Sequence, residues 1–407
     1  MNNAPTQPGS SLPSYITSAV PLGPDKRLPW FKNVAPTYAG IFLWFVFWQD
    51  AAKAGSLGGT LSQGVGVALL GLVLSALICH FLFYLVPGLL GMKTGLPLYI
   101  VGTSTFGAQG GFLMPGFLMG ILQFGWLGVN IFFSSLAVAA FLGMESQAWI
   151  IMIIWGVLAA FVGLKGIQYV AKVSTYLPLI PLAILVIMLA KTIGGVGSLD
   201  PAKLIASHQA LAPTAPAALG TLGVIALLLT YVVGFFATAG AAGVDIAMST
   251  RNQKDVSMGG LIGIALAILV TAGISVLIVA GVYGSSELSA KAVAAGTEKK
   301  SFILDSFSLI SVVMGAGTAK WMMFLLAVAA FPPACFSSFI AANSFRTTLP
   351  KVNPFISVGI GAAVSIILAI TGLAGKVIPV FVIIGASFGP ICGAMMVDYL
   401  LSGGKWT

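Results

Sequence analysis

Uncharged apolar runs of about 20 residues recur along the whole chain, and nothing else in the sequence restricts the fold so severely. Bounded by polar breaks, they give about ten spans: roughly 36–57, 62–91, 106–142, 146–164, 173–193, 219–247, 257–283, 317–346, 353–373 and 377–400. A helix needs about 20 apolar residues to cross a hydrocarbon core about 30 Å thick, whereas barrel strands are short and alternate, so a β-barrel is excluded. Only 7% of the 407 residues are charged, against 58% hydrophobic, and a soluble domain carries roughly 25% charged residues. The expected class is an all-α polytopic membrane protein.

An even number of spans returns both ends to one side. With the N-terminus in the cytoplasm, Lys26, Arg27, Lys32, Lys93, Lys165, Arg251, Lys254, Arg346 and Lys405 fall inside, as the positive-inside rule asks. The net charge of +9 is thereby explained by basic residues at helix ends, and no nucleic-acid partner is expected. Residues 1–35 are polar, rich in Pro and Ser, and lack the apolar segment of a cleaved signal; they read as a cytoplasmic tail. Cys79, Cys335 and Cys392 sit at unrelated spacings in apolar stretches, which suits packing and neither a disulfide framework nor a metal knuckle.

Two breaks carry more information than the spans. Span one runs IFLWFVFWQDAAKAGSLGG and span six VVGFFATAGAAGVD, each aromatic-rich and then small. Five spans separate them, so they run antiparallel, the arrangement of inverted five-helix repeats whose broken first helices line a midplane site. Glycines that merely permit close helix packing are the plainer alternative. The expected organisation is a first repeat at 36–193, an outer loop at 194–218 and a second repeat at 219–400, with an outer helix or loop at 284–316, where SFILDSFSLISVVMG suits a short helix, and a cytoplasmic end at 401–407.

On span three, Gln123, Trp126, Asn130 and Ser134 are three, four and four residues apart, one side of a helix. An indole face with amides at its edge suits a flat, polar, uncharged ring; interhelical hydrogen bonding is the alternative. In span eight, FPPACFSSFIAANSFR sets Pro332 and Pro333 ahead of Ser337 and Ser338, with Asn343 beyond. Prolines loosen the helix, which leaves a carbonyl such as that of Ala334 beside hydroxyl oxygens able to hold a small hard cation; serines bonding back to their own helix are the alternative. Asp50 and Lys53 are three apart and suited to pairing, Asp245 near the inner end reads as structural, and Asp305 and Asp398 complete the acids within apolar segments. His80 and His208 stand alone and read as locally satisfied. Zinc-protease, P-loop and haem-ligand patterns are absent from the sequence, and no GxSxG lies next to a credible His and acid, so no enzyme is expected.

At GFFATAGAAGVD followed by MSTRNQKDVSMGG, and at SSFIAANSF, the chain resembles the nucleobase:cation symporter family of cytosine, purine, uracil, allantoin and hydantoin permeases, from about residue 30 to the end. The resemblance implies a leucine-transporter-type fold of two inverted five-helix repeats with broken helices 1 and 6. It also implies site residues: Trp126 and Phe236, with Phe235 beside it, would sandwich a planar substrate. Gln49, Gln123, Asn130, Gly234, Thr238 and Asn343 would line its edge. For sodium, Ser337 and Ser338 match the hydroxyl pair, Ala334 the carbonyl donor, and Phe45 and Trp48 the carbonyls of span one. Phe339 stands where many members have the first asparagine of an N-x-x-x-N pair, so one substrate-bonding group is missing. Helices 11 and 12, usual in the family, are absent from this sequence.

The expectation is thus a multi-pass protein of a bacterial inner membrane that imports a nucleobase or related planar heterocycle with Na+ by alternating access. No cofactor is expected beyond the coupling ion. H+ coupling of a similar carrier, and a non-transporting membrane receptor with this fold, stand as alternatives.

Overall fold

Within lipid a backbone must satisfy its own N–H and C=O groups, and a chain of apolar runs does so as helices. The computed structural model describes residues 12–42, 56–165, 176–299, 304 and 306–406. Phe45, Trp48, Gln49, Asp50, Lys53 and Asp305 lie outside the described residues. Among the described residues eight helices are long and apolar enough to cross a membrane: Val65–Thr94, Leu98–Leu142, Glu145–Lys165, Leu179–Val196, Thr221–Ala241, Gln253–Gly284, Ala316–Arg346 and Ile378–Leu401. They correspond to spans two to eight and ten. Span nine is the shorter apolar helix Pro354–Ile370, and the start of span one is the helix Val34–Phe42. The described residues contain no strand, only an isolated bridge between Leu28 and Thr250.

The boundaries differ from the hydropathy reading where local chemistry overrides it. The third helix begins at Leu98 and is 45 residues long, far more than a bilayer needs, because Gly107 (φ 71°, ψ 173°) divides a leading helix from the span proper. Span seven starts at Gln253, where the Asn252 side chain accepts the Asp255 N–H at 2.9 Å and caps the helix. In the 194–218 segment Asp200 caps a helix Pro201–Leu211 in the same way. The 284–316 segment holds the helices Ser286–Lys299 and Ser306–Met314, the second at the expected place.

Side-chain packing forms two apolar clusters. Spans three, four, eight and nine share one that includes Leu127, Ile131, Met152, Ala159, Ala334 and Val358. The larger joins Val34, Tyr38 and Phe42 of span one to spans two, six and seven through Tyr84, Tyr231, Phe236 and Val256, and also takes in Val129 of span three, Met188 of span five, Leu326 of span eight and Phe381 of span ten. Spans three and eight, four and nine, two and seven are each five apart, and each pair packs together, so corresponding spans of the two repeats meet.

Span six passes through GFFATAGA as one helix and is interrupted at Ala242 (φ −62°, ψ −8°), after which the short helix Gly243–Ala247 begins. The discontinuity therefore falls at the Asp245 end of the Gly and Ala run. Span eight continues through Pro332 and Pro333. Prolines there remove the N–H groups that would reach the carbonyls four residues earlier, those of Val328 and Ala329, and not that of Ala334.

Candidate substrate and cation site

The site is built where span three meets span six. Trp126 is half-buried on span three, and its Nε1–H donates to Thr238 Oγ1 on span six at 3.0 Å. That bond fixes the indole plane against the GFFAT stretch. Phe235 meets it edge to face, with ring centroids 4.9 Å apart at 81°. Phe381 of span ten completes a triangle, 5.5 Å from both Trp126 and Phe235, and Tyr231 backs it at 5.1 Å. Span ten comes so close because Gly234 has no side chain: a Cβ there would lie 2.5 Å from the carbonyl oxygen of Phe381. Gly234 is thus a packing glycine between spans six and ten.

The two adjacent phenylalanines face different neighbours, as positions about 100° apart on a helix must. Phe236 is fully buried, stacked on Phe42 at 5.7 Å and 19° and tilted against Tyr38 at 5.7 Å. Tyr38 Oη–H donates to the carbonyl of Ala239 at 2.8 Å. Phe235, rather than Phe236, is the ring beside Trp126. A flat ligand between parallel rings requires two contact layers, roughly 7 Å, so the Trp126–Phe235 contact must widen to admit one there.

The expected polar stripe of span three divides. Gln123 is buried and its Nε2 lies 3.5 Å from Met119 Sδ. Asn130 turns away from Trp126: its Nδ2 donates to the carbonyl of Ala330 at 2.9 Å, and its Oδ1 accepts from Trp155 Nε1 and Ser134 Oγ, each at 3.3 Å. Its amide is committed to spans eight and four. On span eight Ser337 and Ser338 are buried, and Ser338 Oγ lies 3.5 Å from the carbonyl oxygen of Ala334, a long contact for a hydroxyl donor. Phe339 is half-buried and Asn343 is exposed. Among the described residues no group of three or more His, Cys, Asp or Glu side chains is gathered as a metal site, which leaves neutral oxygens as the candidate cation donors.

Asp245, Asp398 and His208 have local partners, whereas His80, expected to be locally satisfied, is buried with its Nδ1 making no hydrogen bond among the described residues. Asp245 accepts the Leu98 N–H at 3.0 Å, Asp398 accepts from Thr105 Oγ1 at 2.8 Å, and His208 Nδ1 accepts the Gly58 N–H at 3.2 Å. The three cysteines are free and buried. Phe42, Phe381 and Trp155 escaped the sequence reading. Phe42 belongs to the aromatic-rich start of span one, a usable signal; Phe381 is one aromatic in an apolar run and gave none.

No family model matches the sequence. The cytosine permease of Escherichia coli (strain K12) is 28% identical over 205 residues, 48% of this chain and 44% of that protein; the cytosine permease of Escherichia coli O157:H7 is similar to the same degree over 207 residues. The match thus spans about half the length of these curated relatives. Among solved structures, the inward-facing conformation of Mhp1 has a TM-score of 0.69 at 15% identity, covering 98% of this chain and 82% of that one. Mhp1, described as a nucleobase-cation-symport-1 family transporter, in a closed conformation with bromovinylhydantoin bound, gives 0.64 at 15%, covering 97% and 82%. A Na+-coupled sialic acid symporter gives 0.55 at 16%, covering 92% and 79%.

The apolar helices and these fold likenesses define a polytopic integral membrane protein with the leucine-transporter-type fold of two inverted five-helix repeats. Within that class, the permease likeness in sequence and the Mhp1 likeness in fold bear out the resemblance to the nucleobase:cation symporter family. The named relatives are permeases and symporters, not enzymes.

Proposed function

We propose that the chain is a secondary active transporter that imports a nucleobase or related planar heterocycle, coupled to Na+ by alternating access in a bacterial inner membrane, with its N-terminus in the cytoplasm. The observation that carries the reading is the Trp126–Thr238 hydrogen bond, which holds an indole face against Phe235 and Phe381 where spans three, six and ten meet. A flat, weakly polar ring stacks on such a surface. Phe235 is the stacking partner and Phe236 its buried support; Gln123, Gln49 and Asn343 remain the polar candidates for the ligand's edge. Ser337, Ser338 and the Ala334 carbonyl supply the span-eight oxygens for the cation, and the resemblance implies the Phe45 and Trp48 carbonyls as the span-one donors. The Na+ coupling named for the sialic acid symporter of the same fold and the cytosine permease relatives support this choice.

Uptake by proteoliposomes tests it, with labelled cytosine, uracil and hydantoin offered under an inward sodium gradient or with choline in its place. Sodium-dependent accumulation, abolished by the Ser337→Ala, Ser338→Ala double substitution, is expected. Accumulation driven by a pH gradient alone and indifferent to both serines would move the assignment to H+ coupling. Stoichiometric binding without counterflow would make the protein a receptor.

A further inference from the structure

Span four has no part in the candidate site, yet it presses on span eight at both ends of the segment proposed to hold the cation. At one end Trp155 meets Phe331 edge to face, centroids 5.2 Å apart at 82°. The same indole donates its Nε1–H to Asn130 Oδ1, whose amide Nδ2–H then reaches the Ala330 carbonyl at 2.9 Å. Two turns further along, Gly163 abuts the other end: a Cβ there would lie 2.4 Å from the carbonyl oxygen of Cys335 and 2.8 Å from Ser338 Cβ. Trp155 and Gly163 are eight residues apart, hence on one face of their helix. Between the two contacts lie Pro332 and Pro333, which supply no N–H to their own helix. A stretch short of two internal hydrogen bonds needs an outside reference to hold its register, and the only amide donated to its backbone from another span among the described residues comes from Asn130.

We infer that Trp155 and Gly163 are positioning residues for the cation site: acting through Asn130 and through direct contact, span four sets the register and approach of residues 330–338, and with them the hydroxyl of Ser338. This inference rests on the reading of Ser337 and Ser338 as cation donors. It assigns Asn130 to the cation side of the mechanism rather than to the edge of the substrate.

The test uses the purified full chain in detergent, melted over a titration of sodium chloride against choline chloride at constant ionic strength. Trp155→Phe keeps the aromatic edge and removes the N–H, while Gly163→Ala adds one methyl against Ser338. If span four positions the site, each variant melts earlier by more in sodium than in choline, and the half-saturating sodium concentration rises about five- to tenfold, the effect of one weakened hydrogen-bonded contact. A purely packing role lowers the melting temperature equally in both salts and leaves the sodium midpoint within about twofold. That result, obtained while the Ser337→Ala, Ser338→Ala protein loses its sodium response, would overturn the inference and leave the sodium reading standing. If the parent shows no sodium-dependent stabilisation, the reading of the serines falls and the inference with it. The two variants act at opposite ends of the segment, so one that fails to fold leaves the other to decide.

Discussion

Thr238 is the smallest group on which the site depends. Its hydroxyl oxygen takes the only hydrogen that the Trp126 side chain can donate, and Thr238→Val keeps the shape while removing the acceptor. An indole N–H left without a partner in a buried place costs about 1–3 kcal/mol, so the variant is expected to melt earlier and to bind a planar ligand about tenfold more weakly, read by calorimetry with cytosine. Phe381, which the sequence did not mark, is expected to matter comparably: Phe381→Ala removes one side of the aromatic triangle and should weaken the same binding while leaving the sodium midpoint unchanged. What sequence could and could not see is clear at this scale. The GFFAT motif brought Thr238 and the phenylalanine pair to notice, but which of Phe235 and Phe236 faces Trp126 depends on helix rotation set by Phe42 and Tyr38 of another span. The three-four-four spacing put Asn130 on the correct helix side, yet its rotamer was decided by Trp155 and Ala330, far away in sequence.

Among the elements, the helix Pro201–Leu211 shows how a segment outside the spans is tied down. His208 accepts the N–H of Gly58, which sits at φ 76° in a turn after span one, and its ring lies edge-on to Tyr283 at 5.4 Å. Burial pushes its imidazole down from 6.5 to about 4. The folded state therefore prefers the neutral ring. Its contribution to stability is complete above the ordinary value of 6.5 and is lost as pH falls from there toward 4. Melting temperatures measured across that window should drop for the parent, and drop less for His208→Gln, which keeps an acceptor that does not titrate. Span length and number were legible because lipid imposes them on composition. The break at Gly107 and the early start of span seven at its Asn252 cap were not, since both arise from single residues whose effect hydropathy averages away.

At the scale of the whole molecule, corresponding spans of the two repeats pack together, three against eight, four against nine and two against seven. The proposed function would move such groups of helices against one another. The site draws on several of them: Trp126 comes from span three, Thr238 and Phe235 from span six, and the serines from span eight. The adjacent phenylalanines of span six then have a further consequence. Phe235 touches span three through Trp126, while Phe236 keys span six to span one through Phe42 and Tyr38. If the chain is the carrier proposed above, one of these adjacent rings would bear on the shape of the ligand and the other on the seating of span one, so recutting Phe235 for a bulkier cargo is expected to shift turnover along with selectivity; Phe381, on a separate helix, offers a place to change selectivity with less effect on turnover.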